Sequence, residues 1–170
     1  PWSSRRSLAA ESGLVGRMIE LKVQFPSLDW LRALQGLMNE NSARYQKLGY
    51  VDARIAVVIE ADEGLEERKV YGLVFEAFRC IEVRDLGDPA ELNPEFVMEA
   101  FYSVWKEMIQ NIRENGRADL KHTLNYLSLP GIPMRVWSDD PLNRDKFFRY
   151  NQSLQEFFDA SCQLETEFVI

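Results

Sequence analysis

Apolar and polar positions along the chain follow two distinct periods, and the shorter one predicts strands. Residues 51–60 alternate almost strictly, with Val51, Ile55 and Val57 on one face and charged side chains on the other. This alternation is typical of a half-buried strand. Two further β-prone runs, RKVYGLVFEAF and CIEVRDL, follow the turn sequence DEGLEE. We therefore expect three consecutive strands in a meander.

The longer period predicts helices. In FPSLDWLRALQGLMNEN, Leu31, Leu34 and Met38 form one apolar stripe and Ser27 is placed to cap the helix. In YSVWKEMIQNIREN, the apolar residues recur at the spacing of one helical face, and the preceding EFVMEAF reads as a fourth strand. ADLKHTLNYL repeats the helical pattern, and Asp140 is expected to cap a long aromatic helix that follows it.

The segment LPGIPMRVW reads as a fifth strand. Pro133 lacks the N–H that a central strand needs, so we expect this strand at an edge of the sheet. The order is then helix, three strands, crossover, strand, helices, strand, helix. Strands and helices that are segregated in this way predict an α+β fold, with a five-stranded, mostly antiparallel sheet covered on one face by helices.

Length and composition indicate one domain. We expect residues 1–17 to be a flexible arm or a vector-derived remnant, because they mix Ser, Gly and Arg without clear periodicity. Residues 18–170 then form a single domain, which is long enough to bury a sizeable core. The 46% hydrophobic and 28% charged fractions are those of a globular protein.

Net charge and hydropathy limit the kinds of partner and the cellular location that we expect. A formal net charge of −7 disfavours nucleic acid, whose phosphates require clustered Lys and Arg. No apolar run approaches the roughly 20 residues that span a bilayer, so we do not expect a membrane-spanning segment, and we expect a cytoplasmic location. Cys80 and Cys162 lack metal or redox spacing and are predicted to be free, buried thiols.

The sequence carries no catalytic or cofactor-binding motif. The single histidine, His122, has no His or Cys at ligand spacing, and the glycines form no phosphate-binding loop. The carboxylates near Asp62 read as a hairpin surface, and Asp139 and Asp140 read as helix-start residues. We therefore predict no metal, no cofactor and no catalytic residue.

Aromatic residues are concentrated late in the chain. The last predicted helix contains two adjacent pairs, Phe147 with Phe148 and Phe157 with Phe158. A helix that lies on a sheet buries a single stripe, so adjacent pairs need a second apolar surface, provided by another helix, a subunit or a ligand.

Several of these segments, taken together, resemble a known family. FPSLDWLRALQGLMNEN, GYVDARIAVVIEADEG, NPEFVMEAFYSVWKEMIQ and the closing aromatic helix are similar to the bacterial and archaeal branch of the sterol carrier protein-2-like lipid carriers, over roughly residues 23 to 160. The stretch from Tyr102 to Glu107, directly after a strand, carries most of the resemblance. The chain departs from the family pattern near Phe78, where a turn glycine is missing, and at LPGIPMRVWSDDP.

The resemblance implies an apolar tunnel between sheet and helices that binds fatty acyl chains, acyl-CoA or similar lipids without catalysing a reaction. The sheet and the helices would supply its lining: Ile55, Val57, Leu73, Trp105, Ile109, Leu124, Leu154 and Phe158. Two alternatives stay open. The same helices could form an interaction or homodimerisation surface, or a carboxylate in a hydrophobic pocket could transfer protons.

Overall fold

A computed structural model describes residues 22–169 of the chain. The segment 1–17, for which we predict an arm, lies outside the described residues. The assignment of residues 18–170 to one domain stays a prediction.

The central feature is a five-stranded sheet in the order β4-β3-β2-β5-β6. The β2–β5 pair is parallel and the other three pairs are antiparallel, so the predicted α+β class and mostly antiparallel sheet are confirmed. The meander and the edge position of the strand after Pro133 are also confirmed. The strands are β2 (Ala53–Glu60), β3 (Lys69–Glu76), β4 (Arg79–Leu86), β5 (Phe96–Phe101) and β6 (Arg135–Trp137).

The turn between β3 and β4 has no glycine, and hydrogen bonds with residues that precede β2 stabilise it instead. Ala77 adopts a left-handed conformation with φ of 56°. Its N–H donates to the Asp52 carboxylate at 3.2 Å, and its carbonyl accepts from the N–H of Val51 at 2.9 Å. The segment that leads into β2 therefore supports a turn that the turn residues themselves do not favour.

Five α-helices accompany the sheet in the described part of the chain: α1 (Leu28–Asn39), α2 (Ser42–Leu48), α3 (Tyr102–Asn115), α4 (Leu124–Leu127) and α5 (Pro141–Asp159). Ser27 and Asp140 cap α1 and α5 as predicted, each accepting a backbone N–H from the first turn. Short 3₁₀ helices lie at Pro89–Leu92, Leu120–His122 and Ala160–Gln163.

The segment ADLKHTLNYL differs from its predicted single helix. It forms the 3₁₀ turn Leu120–His122 and then the short α4, because Thr123 leaves the helical conformation and caps α4 instead. Leu120 is 81% exposed, whereas Leu124 is fully buried. The helical spacing of the leucines therefore did not place them on one buried face.

A second, two-stranded sheet was not predicted. β1 (Lys22–Phe25) pairs in parallel with β7 (Glu165–Phe168), near the two ends of the described chain. The indole N–H of Trp30 donates to the hydroxyl of Thr166 at 3.0 Å, which ties α1 to this small sheet.

The five-stranded sheet has two different faces. Its inner face, as we name it, contacts α1, α3 and α5 and carries the main apolar core, in agreement with the predicted helix layer on one face. Its outer face carries a smaller cluster, covered by the 3₁₀ helix Pro89–Leu92, whose members are Ala56, Val58, Val70, Leu86, Leu92 and Val97.

Candidate functional site

The eight predicted ligand-binding residues lie in one continuous apolar cluster between the inner face and the helices. Alternation along β2 directs Ile55 and Val57 inward, and Leu73 pairs with Ile55 across the β2–β3 ladder. Helices α3, α4 and α5 supply the other five. Each of the eight side chains is at most 1% exposed: Ile55, Val57, Leu73, Trp105, Ile109, Leu124, Leu154 and Phe158.

Aromatic rings occupy much of this interior. Trp105 donates its indole N–H to the carbonyl of Val58 at 3.1 Å, which fixes the ring against β2. The Phe158 ring lies 5.6 Å from that of Trp105, between centroids, and the Phe157 ring lies 5.4 Å from that of Phe75. Both members of this adjacent pair are therefore buried within one chain, on sheet and helices together.

The other adjacent pair is divided between interior and surface. Phe147 is fully buried and its ring lies 5.9 Å from that of Phe96 on β5. Phe148 is 54% exposed. The second apolar surface expected from the sequence is thus present for Phe157 and Phe158, while Phe148 faces outward.

Residues 117–127, which we call the strap, lie across α5 and are held by polar contacts to it. The Gln155 side chain accepts the N–H of Leu124 at 2.7 Å and donates to Asp159 at 2.9 Å. The same Asp159 oxygen accepts the N–H of Ala118 at 3.1 Å. These side-chain contacts anchor the strap at two backbone positions.

Two cavities flank the C-terminal half of α5. One, of about 360 Å³, is lined by Thr123 and Asn125, the neighbours of Leu124, and by Gln155, the neighbour of Leu154. The other, of about 300 Å³, shares Glu156 and Asp159 with it. The first therefore lies over the seam between the strap and α5, directly outside two of the eight predicted residues.

A third cavity, of about 390 Å³, lies at the outer face, where Val97 and Trp137 meet the 3₁₀ helix that begins at Pro89. None of the eight predicted residues lines any of these three cavities. No pattern in the sequence pointed to the third one, because its lining comes from three separate segments.

Two titratable groups near the strap have raised pKa values. Burial raises the pKa of Asp159, and its hydrogen bonds with Gln155 and Ala118 only partly counter this effect. Cys162 is exposed as a residue, but partial burial of its thiol against the same 300 Å³ cavity also raises the pKa of that thiol. A thiol with a raised pKa is a poor nucleophile at neutral pH.

Both cysteines are free, as predicted, but only one is buried. Cys80 is fully buried, and burial raises its pKa to about 12. Cys162 is exposed, so the prediction of a buried thiol is wrong for this residue. It follows the end of α5, where the chain turns towards β7 in a 3₁₀ helix.

His122 lies between two carboxylates. Its Nδ1 is 2.6 Å from Asp119 and its Nε2 is 3.2 Å from Glu107 on α3. Burial lowers the pKa of His122, but the hydrogen bonds to Asp119 and Glu107 outweigh it and leave the pKa above its usual value. The contact with Glu107 links the strap to α3, whereas the contact with Asp119 lies within the strap.

Asp62 has a role that the sequence did not indicate. Its carboxylate accepts the backbone N–H of Ser103 at 2.8 Å and the Ser103 hydroxyl at 2.6 Å, so it caps α3 from a distant turn. The sequence pattern predicted only a hairpin surface at this position. A cap that is supplied from 41 residues away leaves no local sequence signal.

Two further findings concern metal binding and membrane-spanning helices. Within residues 22–169, no three His, Cys, Asp or Glu side chains are grouped so that they could hold a metal ion. No helix in that range is both long enough and apolar enough to cross a bilayer.

Solved structures share the arrangement of sheet and helices. No protein-family model matches the sequence, and no curated protein sequence matches it. The structure is similar to a crystal structure of sterol carrier protein 2, with a TM-score of 0.59 and 16% identity over 80% of this chain and 95% of that one. It is also similar to the solution structure of a conserved hypothetical protein of Thermus thermophilus, described as a possible sterol carrier protein. The TM-score there is 0.59, with 14% identity over 78% of this chain and 86% of the other.

The chain therefore has a sterol carrier protein 2-like fold, and the resemblance read from the sequence is confirmed at the level of the fold.

Proposed function

We propose that this protein binds and carries hydrophobic ligands, such as fatty acyl chains or acyl-CoA, between the inner face and the helices, without catalysing a reaction. The observation that carries the proposal is the convergence of the eight predicted residues into one uncharged interior that is contributed by the sheet and three helices. The fold similarity to sterol carrier protein 2 supports the same reading.

The binding energy follows from removing an acyl chain from water. Each buried methylene contributes about 0.8 kcal/mol, so a chain of about ten reaches roughly micromolar affinity after the association cost. An apolar wall discriminates weakly among such chains, so broad selectivity is expected.

Entry requires that rings and helices separate, because the eight side chains are fully buried. We place the entrance at the seam between the strap and α5. The cavity of about 360 Å³ lies outside this seam, and two hydrogen bonds from strap N–H groups to Gln155 and Asp159 cross the seam. A third hydrogen bond, from Gln155 to Asp159, holds the two acceptor side chains together within α5. Release of these bonds would expose Leu124 and Leu154 to an incoming chain.

Native mass spectrometry of the protein purified from cells tests the proposal. We expect co-purified lipid, and displacement of a fluorescent fatty acid by unlabelled ones. Ligand-free protein that does not take up the fluorescent fatty acid would contradict the proposal.

A matched pair of variants tests the location. Leu154→Phe adds bulk to the inner interior, and Leu92→Phe makes the same change in the outer cluster, where Leu92 is 7% exposed. We expect lower lipid uptake only for Leu154→Phe. Equal uptake by both variants would place the ligand elsewhere.

A second pair tests the entrance. Gln155→Ala removes the strap contact at Leu124, whereas Gln152→Ala changes an exposed residue that lines the same cavity. We expect faster exchange of a fluorescent fatty acid in Gln155→Ala and an unchanged rate in Gln152→Ala. Equal rates in both would remove the strap from the entry path.

An interaction module is the alternative. Its support is the exposure of Leu142 (76%) and Phe148 (54%) on α5, which a homodimer could cover. Light scattering tests it. A dimer that becomes monomeric in Phe148→Asp, together with absent lipid uptake, would favour this alternative over the carrier.

A further inference from the structure

The outer cavity is separated from the proposed lipid site by the sheet. Its volume of about 390 Å³ lies within the range of small-molecule sites. It is bounded by the start of β5, the end of β6, the start of α5 and the 3₁₀ helix Pro89–Leu92.

One part of the lining is apolar and aromatic. Trp137 provides a wall, and Val97, Pro89 and Pro94 provide neighbouring apolar surface. The indole N–H of Trp137 is buried and has no acceptor among the described residues. Such an unsatisfied donor is uncommon in folded proteins, and an oxygen atom of a ligand is one acceptor that would satisfy it.

The other part of the lining is anionic. Asp88, Asp139 and Asp140 all border the cavity. Asp88 and Asp140 each use one carboxylate oxygen to accept a capping N–H at 2.9 Å, which leaves the second oxygen available. Asp139 accepts no hydrogen bond from the part of the chain that is described.

Arg68, the one cation that lines the cavity among residues 22–169, is already engaged. Its guanidinium lies 3.1 Å from the Glu60 carboxylate and 3.8 Å from that of Glu99, so its charge is compensated outside the cavity. Arg135, whose guanidinium lies 5.2 Å from the centroid of the Trp137 ring, also pairs with Glu99, at 3.7 Å. The uncompensated charge that faces a ligand is therefore negative.

We propose that this cavity binds a small organic cation: an amine with an apolar or aromatic body and an adjacent hydroxyl or carbonyl oxygen. The ammonium group lies at the three aspartates, the body packs on Trp137 and its apolar neighbours, and the oxygen accepts the indole N–H. The aromatic ring offers a surface on which an apolar body packs, and carboxylates form charge-assisted hydrogen bonds with ammonium groups.

Three probes separate these contributions. 2-Amino-1-phenylethanol carries all three features, 1-phenyl-1,2-ethanediol replaces the ammonium by a hydroxyl, and 2-phenylethylamine lacks the oxygen. The readout is the indole N–H signal of Trp137 in ¹⁵N-labelled protein, identified among the four tryptophans by Trp137→Phe. We expect the amino alcohol to bind with a dissociation constant of about 1 mM or below, the diol roughly tenfold more weakly and the simple amine in between.

Variants identify the carboxylates. The triple variant Asp88→Asn, Asp139→Asn and Asp140→Asn removes the charges but keeps both caps, because Asn caps helices as well as Asp. Asp145→Asn is the control, since Asp145 is an exposed residue of α5 outside the cavity lining. We expect the triple variant to lose about tenfold or more in affinity and the control to change less than about twofold.

Several results would overturn the proposal. They are an unmoved Trp137 signal at millimolar amino alcohol, a diol that binds as tightly as the amine, and a triple variant that binds like the control. None of them bears on lipid uptake at the inner face, so this site and the carrier function stand or fall separately.

Discussion

The two faces of the central sheet are built from the same strands but present different chemistry. On β2, Ile55 and Val57 face the helices, while Ala56 and Val58 face outward. Inside, large aromatic and branched side chains meet three helices. Outside, smaller side chains are covered by one 3₁₀ helix, and beyond them Glu99 pairs with arginines from two neighbouring segments.

Because side chains alternate along each strand, the two faces of the same sheet acquire different chemical properties. Within residues 22–169, the core cluster of the inner face has no charged side chain, so it suits an apolar ligand. The outer face places ionic groups beside an aromatic ring, so it suits a polar one. A shift of β2 by one residue would exchange the two faces, and this is why the register is strongly specified.

The largest effect expected is a difference between two tryptophans. Trp105→Ala should lower the free energy of unfolding by about 3–5 kcal/mol, because it removes a fully buried ring and its bond to Val58. Trp137→Ala, at the partly exposed rim of the outer face, should cost only about 1–2 kcal/mol. Urea denaturation of both variants provides the measurement.

Equal losses of unfolding free energy in the two variants would contradict the expected difference between the inner and outer faces. They would mean that the outer layer contributes as much to the fold as the inner one. As an internal control, the dependence of the unfolding free energy on urea should be the same in both variants, because neither changes the surface exposed on unfolding by much.

The sequence predicted those parts of the fold that local periodicity determines. Alternation predicted β2, β-prone composition predicted β3 and β4, helical spacing predicted α1, α3 and α5, and Pro133 predicted the edge strand. The resemblance, together with this order, predicted the interior residues, because alternation and stripes identify buried faces. These signals all lie within a single segment of the chain.

What could not be predicted depends on contacts between distant segments. The β1–β7 pair joins two four-residue strands across the whole chain, and such short strands have no clear pattern. The strap is fixed by side chains of α5, and the outer cavity forms where three segments meet.

A pair of glycines gives the next largest effect. An alanine Cβ at position 72 would lie 3.1 Å from methyl carbons of Leu86 and Leu92 in the outer cluster, so Gly72→Ala should cost about 1 kcal/mol. At Gly36, within α1, an added Cβ meets nothing within 4 Å. Gly36→Ala should therefore stabilise the protein by about 0.5–1 kcal/mol.

Thermal unfolding of the two alanine variants measures these opposite effects on stability. Opposite shifts in Tm are expected. A stabilising Gly72→Ala would show that the 3₁₀ helix Pro89–Leu92 yields easily, and the outer cavity would then be more adaptable than its packing suggests.

The smallest effect concerns the strap. His122 is the only histidine of the sequence, and its pKa in the folded state lies above its usual value because Asp119 and Glu107 accept hydrogen bonds from the charged ring. A group whose pKa is raised by folding stabilises the protein below its unfolded pKa, about 6.5. This contribution is lost as the pH rises through the folded pKa.

The difference in unfolding free energy between wild type and His122→Gln should therefore be largest at about pH 5.5 and should be smaller at about pH 8.5. It should stay small throughout, because the two carboxylates are largely solvated. An NMR titration of the ring protons measures the pKa directly, and Asp119→Asn should lower it, whereas Glu114→Gln on the exposed side of α3 should not. An unchanged pKa in Asp119→Asn would mean that the Asp119 carboxylate does not accept a hydrogen bond from this histidine.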